Sequence, residues 1–243
     1  MKILSIVLAF FCLSALSAQS TILHCGQLID TENGKLLKEQ SIIVKDNKIK
    51  EVQKGYIEGG AEDLIIDLKN KTVLPGLIDM HVHIEGESNP RRYLERFTLN
   101  EADVAFKSTT FAKTTLMAGF TTVRDLGGSG VNIALRKAID RGDVVGPRIY
   151  TAGKALGTTG GHADPTNGMK KSLMGNPGPA EGVVNSPEDG RQAVRQRYKN
   201  GADVIKITAT GGVLSVAKSG QNPQFTLEEV KACLLYTSDA ADD

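Results

Sequence analysis

Beyond residue 72 the chain alternates between strand-like and helix-like stretches, and three of the helical stretches are closed by a glycine. Residues 99–118 carry apolar side chains at near-helical spacing and stop at Gly119. Residues 120–123 then read as a strand ending in Arg124-Asp125. A second helix is predicted over 131–141, closed by Gly142, and a strand over 148–152. A long glycine-rich loop leads to about Ser186, which starts the next helix: Ser as N-cap, Pro187 in the first turn, Glu188 and Asp189 near the positive end. That helix stops at Gly201, residues 202–207 form a further predicted strand, and Thr226-Leu227-Glu228-Glu229 is a capping box opening another helix. Strands that alternate with helices in this way pair in parallel, because a parallel partner is reached only through a crossover.

The first strand of the series lies in 72–85, TVLPGLIDMHVHIE. Its apolar run is interrupted by Pro75-Gly76, resumes at Leu77, and closes in His81-Val82-His83. A short apolar run flanked by turn residues predicts a buried strand. Side chains at i and i+2 share a face, so His81 and His83 project together, with Asp79 on the same side below them. Two neutral imidazoles on one rigid strand suit a divalent metal, and a carboxylate behind them can fix a ring tautomer.

Before this strand, 21–72 reads as β. Short strands are predicted at 21–25, 41–45, 48–52 and 64–68, with turns at Glu32-Asn33-Gly34, Asp46-Asn47 and Lys69-Asn70-Lys71. These make a small antiparallel module. Residues 1–18 read as a cleaved secretory signal: Lys2 is the charged start, 3–16 the apolar core, and Ser17 and Ala18 the small residues that follow. The expected location is therefore secreted or periplasmic, with no membrane association after cleavage. Cys25 and Cys233, left once Cys12 is removed, are too few for a disulfide framework. A formal net charge of +1 argues against a nucleic-acid partner.

The nonapeptide PGLIDMHVH resembles the first-strand signature of the metal-dependent amidohydrolase superfamily, and the later segments extend the resemblance over most of the chain. It implies an α/β fold: the N-terminal half of a (β/α)8 TIM-type barrel over 73–233, preceded by a small, incomplete β-sandwich over 19–72. Such a barrel needs eight units and about 250 residues, and four are counted. Residues 234–243, LLYTSDAADD, are expected to interrupt the last helix as a non-native read-through tail. A half barrel with open edges is expected to be poorly soluble and inactive.

In such barrels the chemistry sits at the C-terminal strand ends. Those ends carry His81 and His83, Asp125, His162 in Gly160-Gly161-His162-Ala163-Asp164-Pro165, and Lys206 in VIKITATGG. A lysine in an apolar strand needs a partner. The resemblance implies one: Lys206, carboxylated by carbon dioxide, bridges two metal ions, expected to be zinc, alongside His81 and His83. An ion pair with an acid such as Asp125 is the plainer alternative, and Asp125 itself is expected to partner Lys206 or a histidine. His162 is the expected catalytic histidine, able to polarise a carbonyl or hold a carboxylate, or else it pins its own loop. Gly127-Gly128-Ser129-Gly130 lacks the spacing of a phosphate loop. GGHADP resembles the equivalent loop of prolidase-like and imidazolonepropionase-like members. The implied activity is hydrolysis of an amide or dipeptide C–N bond by metal-activated hydroxide, on a small-molecule or dipeptide substrate. The alternatives are a cyclic amide or imidazolone substrate, and a metal-free barrel acting as a binding or scaffold protein. Two further histidine ligands and an aspartate that the resemblance implies are not in this chain.

Overall fold

The computed structural model describes residues 19–212 and 220–238. The expected signal at 1–18 lies outside them. The chain divides after Pro75 into two compact units.

The first unit is one four-stranded sheet. Its strands are β1 (Thr21–Asp30), β2 (Lys35–Lys45), β3 (Lys48–Lys54) and β4 (Leu64–Val73), in the order β3-β2-β1-β4. β2 lies antiparallel to both β1 and β3. The β2–β3 turn is made by Asp46 and Asn47 at φ 52° and 57°, the left-handed pair a two-residue hairpin needs. β4, however, runs parallel to β1, so the sheet is mixed and not antiparallel as expected. The reason is the connection: the chain leaves β3 at one edge and re-enters at the other, where the Leu64 amide bonds the Ser20 carbonyl. The turn expected at Lys69–Lys71 is instead a bulge within β4. Cys25 faces Leu68 while Gln27 faces Thr72, and a Cβ on Gly26 would stand 2.0 Å from the Lys69 carbonyl oxygen. The core is Cys25, Leu28 and Ile42. A second layer, which a sandwich requires, is not present among the described residues.

The second unit holds β5 (Leu77–Val82), α1 (Arg92–Thr98), α2 (Glu101–Met117), β6 (Phe120–Asp125), α3 (Val131–Asp140), β7 (Arg148–Thr151), α4 (Lys171–Met174), α5 (Pro187–Asn200) and α6 (Leu227–Ser238). Its sheet is β5-β6-β7, parallel throughout, as the alternation predicts. α2 is capped by Asn100, whose amide bonds the Asp103 carboxylate, 2.9 Å; the chain before it forms the separate helix α1. α5 starts as predicted, with Ser186 Oγ accepting the Asp189 amide, and ends at Gly201, φ 91°. Ile84, Ala112, Val123, Leu135 and Ile149 form one core; Leu156, Val184, Ala193, Val194, Phe225 and Cys233 form another.

Three expectations fail here. β5 is the open edge expected of a half barrel, paired on one side only among the described residues, but Leu77, Ile78 and Met80 on it are exposed where a buried strand was expected. The strand predicted at 202–207 is not continuous: Asp203 and Val204 bond Thr151, and only Ile207 bridges Leu156. The segment beside it turns out at Gly153, φ 62°, which breaks the ladder between those two anchor points. Finally, α6 is not interrupted at Leu234 but continues to Ser238.

Candidate functional site

The end of β5 is bent by a bulge. Asp79 pairs with Val123 and Val82 with Asp125, so β5 carries one extra residue there. The two backbone groups this frees are both taken. The His81 amide donates to Asp79 Oδ1, 3.0 Å, and Arg124 Nε donates to the Met80 carbonyl, 2.8 Å. Asp79 therefore shapes the strand end through the main chain; its charge acts on the His81 ring, but the hydrogen bond to an imidazole expected of it is not formed among the described residues. The His81 and His83 rings stand edge to face, centroids 5.4 Å apart.

The His83 tautomer is set by a carbonyl. Nδ1–H donates to the Gly127 oxygen at 2.7 Å, which leaves the Nε2 lone pair available. Partial desolvation, and then the charge of Lys206, lowers the His81 pKa and favours the neutral ring. Asp125 is fully buried but pairs with neither Lys206 nor a histidine. Its oxygens accept the Ile84 amide (2.9 Å), the Gly127 amide (3.0 Å) and Asn132 Nδ2 (3.0 Å). Burial pushes its carboxyl up, against the pull of these bonds. Its role is to hold the loop whose carbonyl grips His83.

Glu85 completes that loop, and the motif reading passed over it. Its carboxylate accepts the Ser129 amide at 2.6 Å and the Asn132 amide at 2.7 Å, at the N-terminus of α3. A Cβ on Gly128 would meet it at 2.4 Å. The Gly127 and Ser129 amides of the glycine-rich loop are thus spent on two internal carboxylates, and the Gly128 amide on the Gly153 carbonyl, 2.8 Å. The signal for Glu85 was its place two residues after His83, facing a helix start that lacks a side-chain cap of its own.

His162 is carried by a loop that Asp164 organises. Asp164 accepts the Gly160 amide (2.7 Å), the Thr166 amide (2.8 Å) and Thr166 Oγ1 (2.7 Å). Burial raises its carboxyl, but these bonds outweigh it and the net shift is downward. The His162 amide donates to Gln224 Oε1, 2.8 Å, and its ring lies against Gly212. Lys206 is set by main-chain bonds on either side: Leu156 N donates to its carbonyl (2.8 Å), and Thr208 N to the Leu156 carbonyl (2.9 Å). No ion pair to Lys206 is formed among the described residues, so the plainer alternative of a Lys206–Asp125 pair is not realised.

These separate devices open on one cavity of about 560 Å³. It is lined by His81, His83, His162 and Lys206, with Arg96, Lys154 and Glu181 among its other walls. Among the described residues, no three His, Cys, Asp or Glu side chains converge as a metal cluster by themselves. What the cavity brings together is the His81, His83 and His162 imidazoles and a lysine, with the first two rings 5.4 Å apart. The exposed Nε2 of His83, the neutral bias of His81 and the shared cavity fit a divalent ion.

A sequence profile of the amidohydrolase family matches residues 72–242. The ochratoxinase of Aspergillus niger is 30% identical over 232 residues, 88% of this chain and 47% of its own length. A solved Xaa-Pro dipeptidase with methionine bound in its active site is 49% identical, with a TM-score of 0.86 over 92% of this chain and 55% of that one. A prolidase solved with N-methylphosphonate-L-proline is 34% identical, with a TM-score of 0.79 over 92% of this chain and 54% of that one. The chain spans about half the length of each of these relatives.

Proposed function

The chain belongs to the amidohydrolase family, and from that premise we propose that the whole protein is an exported, metal-dependent hydrolase of C–N bonds in dipeptides or N-acyl amino acids. The observation that carries this reading is the convergence of His81, His83, His162 and Lys206 on one cavity. The similarity to a Xaa-Pro dipeptidase and a prolidase supports the substrate class. Export rests on the N-terminal pattern of 1–18.

In this reading His81 and His83 are metal ligands, the latter through Nε2 because Gly127 occupies Nδ1. Bound divalent ions, two zinc in this proposal, lower the pKa of water and polarise a substrate carbonyl. The Lys206 amine, after giving a proton to solvent, would add to carbon dioxide and release a second proton to solvent, giving a carbamate whose single negative charge is shared by two oxygens. Those oxygens supply the charge that two imidazoles lack. His162 directs a ring nitrogen at a carbonyl or carboxylate oxygen of the substrate. Arg96 and Lys154 add positive charge to the walls, which suits a substrate that ends in a carboxylate.

The test is hydrolysis by the full-length protein. The panel is dipeptides ending in proline, N-acetyl amino acids and cyclic amides, each with and without chelator. Chelator-sensitive release of free amino acid from the first two groups is expected. Turnover indifferent to chelation, or confined to cyclic amides, overturns the reading.

A further inference from the structure

We infer that Arg197 is a positioning residue for this site: its guanidinium, reaching in from α5, sets the wall segment that carries Lys154 and holds Lys206 in register. Arg197 lies on the buried face of α5, with Gly190, Ala193 and Val194, and is 1% exposed. Arginine is almost never buried without a paired charge. Among the described residues no carboxylate lies within ion-pair distance of it. Nη2 is buried with no hydrogen-bond partner. An apolar side chain would satisfy this core at lower cost, so packing alone does not account for the residue.

What it binds gives the account. Nε donates to the Lys154 carbonyl at 2.8 Å, and Nη1 to the Ala180 carbonyl at 3.3 Å. These carbonyls belong to two different stretches of the cavity wall, since Lys154, Ala155 and Glu181 all line it. One planar fork thus spans both from two fixed nitrogens, where a lysine offers a single one. The stretches have no slack between them. A Cβ on Gly182, whose φ is 101°, would stand 2.4 Å from the Ala155 carbonyl oxygen and 3.0 Å from Nη2.

Displacement there is passed on directly. Two residues beyond Lys154, Leu156 bonds Lys206 through its amide and Thr208 through its carbonyl. On its other flank the Gly157 amide bonds Gly182, and the Val184 amide bonds Gly157. Residues 154–157 are therefore the middle of three laced segments, and Arg197 is the side chain that anchors their start.

The experiment compares Arg197→Met and Arg197→Lys with wild type in the full-length protein. Three readouts are taken: steady-state kinetics, zinc content after dialysis, and the rate at which an amine-reactive reagent labels Lys206 relative to the exposed Lys199. Arg197→Met should fold, lose about 10- to 100-fold in kcat with a smaller change in KM, hold zinc less tightly, and label faster at Lys206. Arg197→Lys should fall between. The kinetic and zinc arms rest on the hydrolase reading above; the labelling arm does not, so a protein without hydrolase activity still decides the proposal. Wild-type labelling of Lys206 in a folded Arg197→Met overturns it, as does unchanged kcat. If Arg197→Met does not fold, Arg197→Lys decides on the same readouts. Failure of both to fold also overturns it, by making Arg197 a residue of the core and not of the site.

Discussion

The two units place their histidines in opposite settings. His24 lies on β1, in the interior of a four-stranded sheet; it is buried, and its Nε2 donates to the Ile57 carbonyl at 2.9 Å. Its ring also lies tilted against Tyr56, centroids 5.3 Å apart. It is a satisfied structural histidine. His81 and His83 end an edge strand, where the chain leaves for a loop, and both rings face a cavity. The difference lies in what surrounds the strand. The four-stranded sheet pairs its strands through their own backbone, whereas the βα loops of the second unit are held by carboxylates, Asp125 and Asp164 buried and Glu85 half-buried. Asp125, Glu85 and Asp164 together accept eight bonds from neighbouring groups, six of them from main-chain amides. His81, His83 and Lys206 take no part in those eight bonds.

Replacing both His81 and His83 by Asn should break this contrast most completely. Hydrolysis should fall on the order of 10³-fold or more in the full-length protein, with loss of metal. A chelator-dialysed double variant with normal turnover would show that the pair is no more functional than His24. Lys206→Ala should come next, at about 100-fold in activity with metal lost. Acetate should restore part of the activity by filling the vacated space, and wild-type apoenzyme should need bicarbonate as well as metal to recover. Indifference to both additions refutes the carbamate.

Smaller effects sharpen the structural half of the comparison. Asp125→Ala strands two amides and the Asn132 side chain, and should cost about 3 kcal/mol in urea unfolding. A change under about 1 kcal/mol would mean that water replaces the carboxylate and the loop is not held as described. In the first unit, Gly26→Ala forces a methyl into the Lys69 carbonyl and should cost about 2 kcal/mol without touching activity. Lost activity with intact stability there would contradict the division of labour. Ser186→Ala removes the α5 cap and should cost about 1 kcal/mol, read from the same unfolding curves.

Much of the second unit was legible because its signals are local. Ser186, Pro187 and Gly201 mark the ends of a helix through backbone geometry that acts within a few residues, and the structure keeps those ends. Strand–helix alternation was enough to require the parallel order β5-β6-β7, since a parallel partner needs a crossover. The i, i+2 spacing likewise brought His81 and His83 to one cavity.

Partners distant in sequence were not legible. Nothing near Asp125 announces that it will bond the Ile84 amide 41 positions away instead of a lysine or histidine. Nothing in a run of β-branched residues tells whether β4 joins β1 parallel or antiparallel; the path of the preceding connection decides that. The strand expected at 202–207 reads well by propensity, yet a ladder needs an unbroken neighbour, and Gly153 turns that neighbour aside. Sequence by itself determined the residue chemistry and the short-range geometry that presents it. Tertiary structure alone decided which carboxylate holds which loop, and that a buried guanidinium 43 positions from Lys154 grips its carbonyl. Such bonds depend on the meeting of surfaces that only the packed chain brings together.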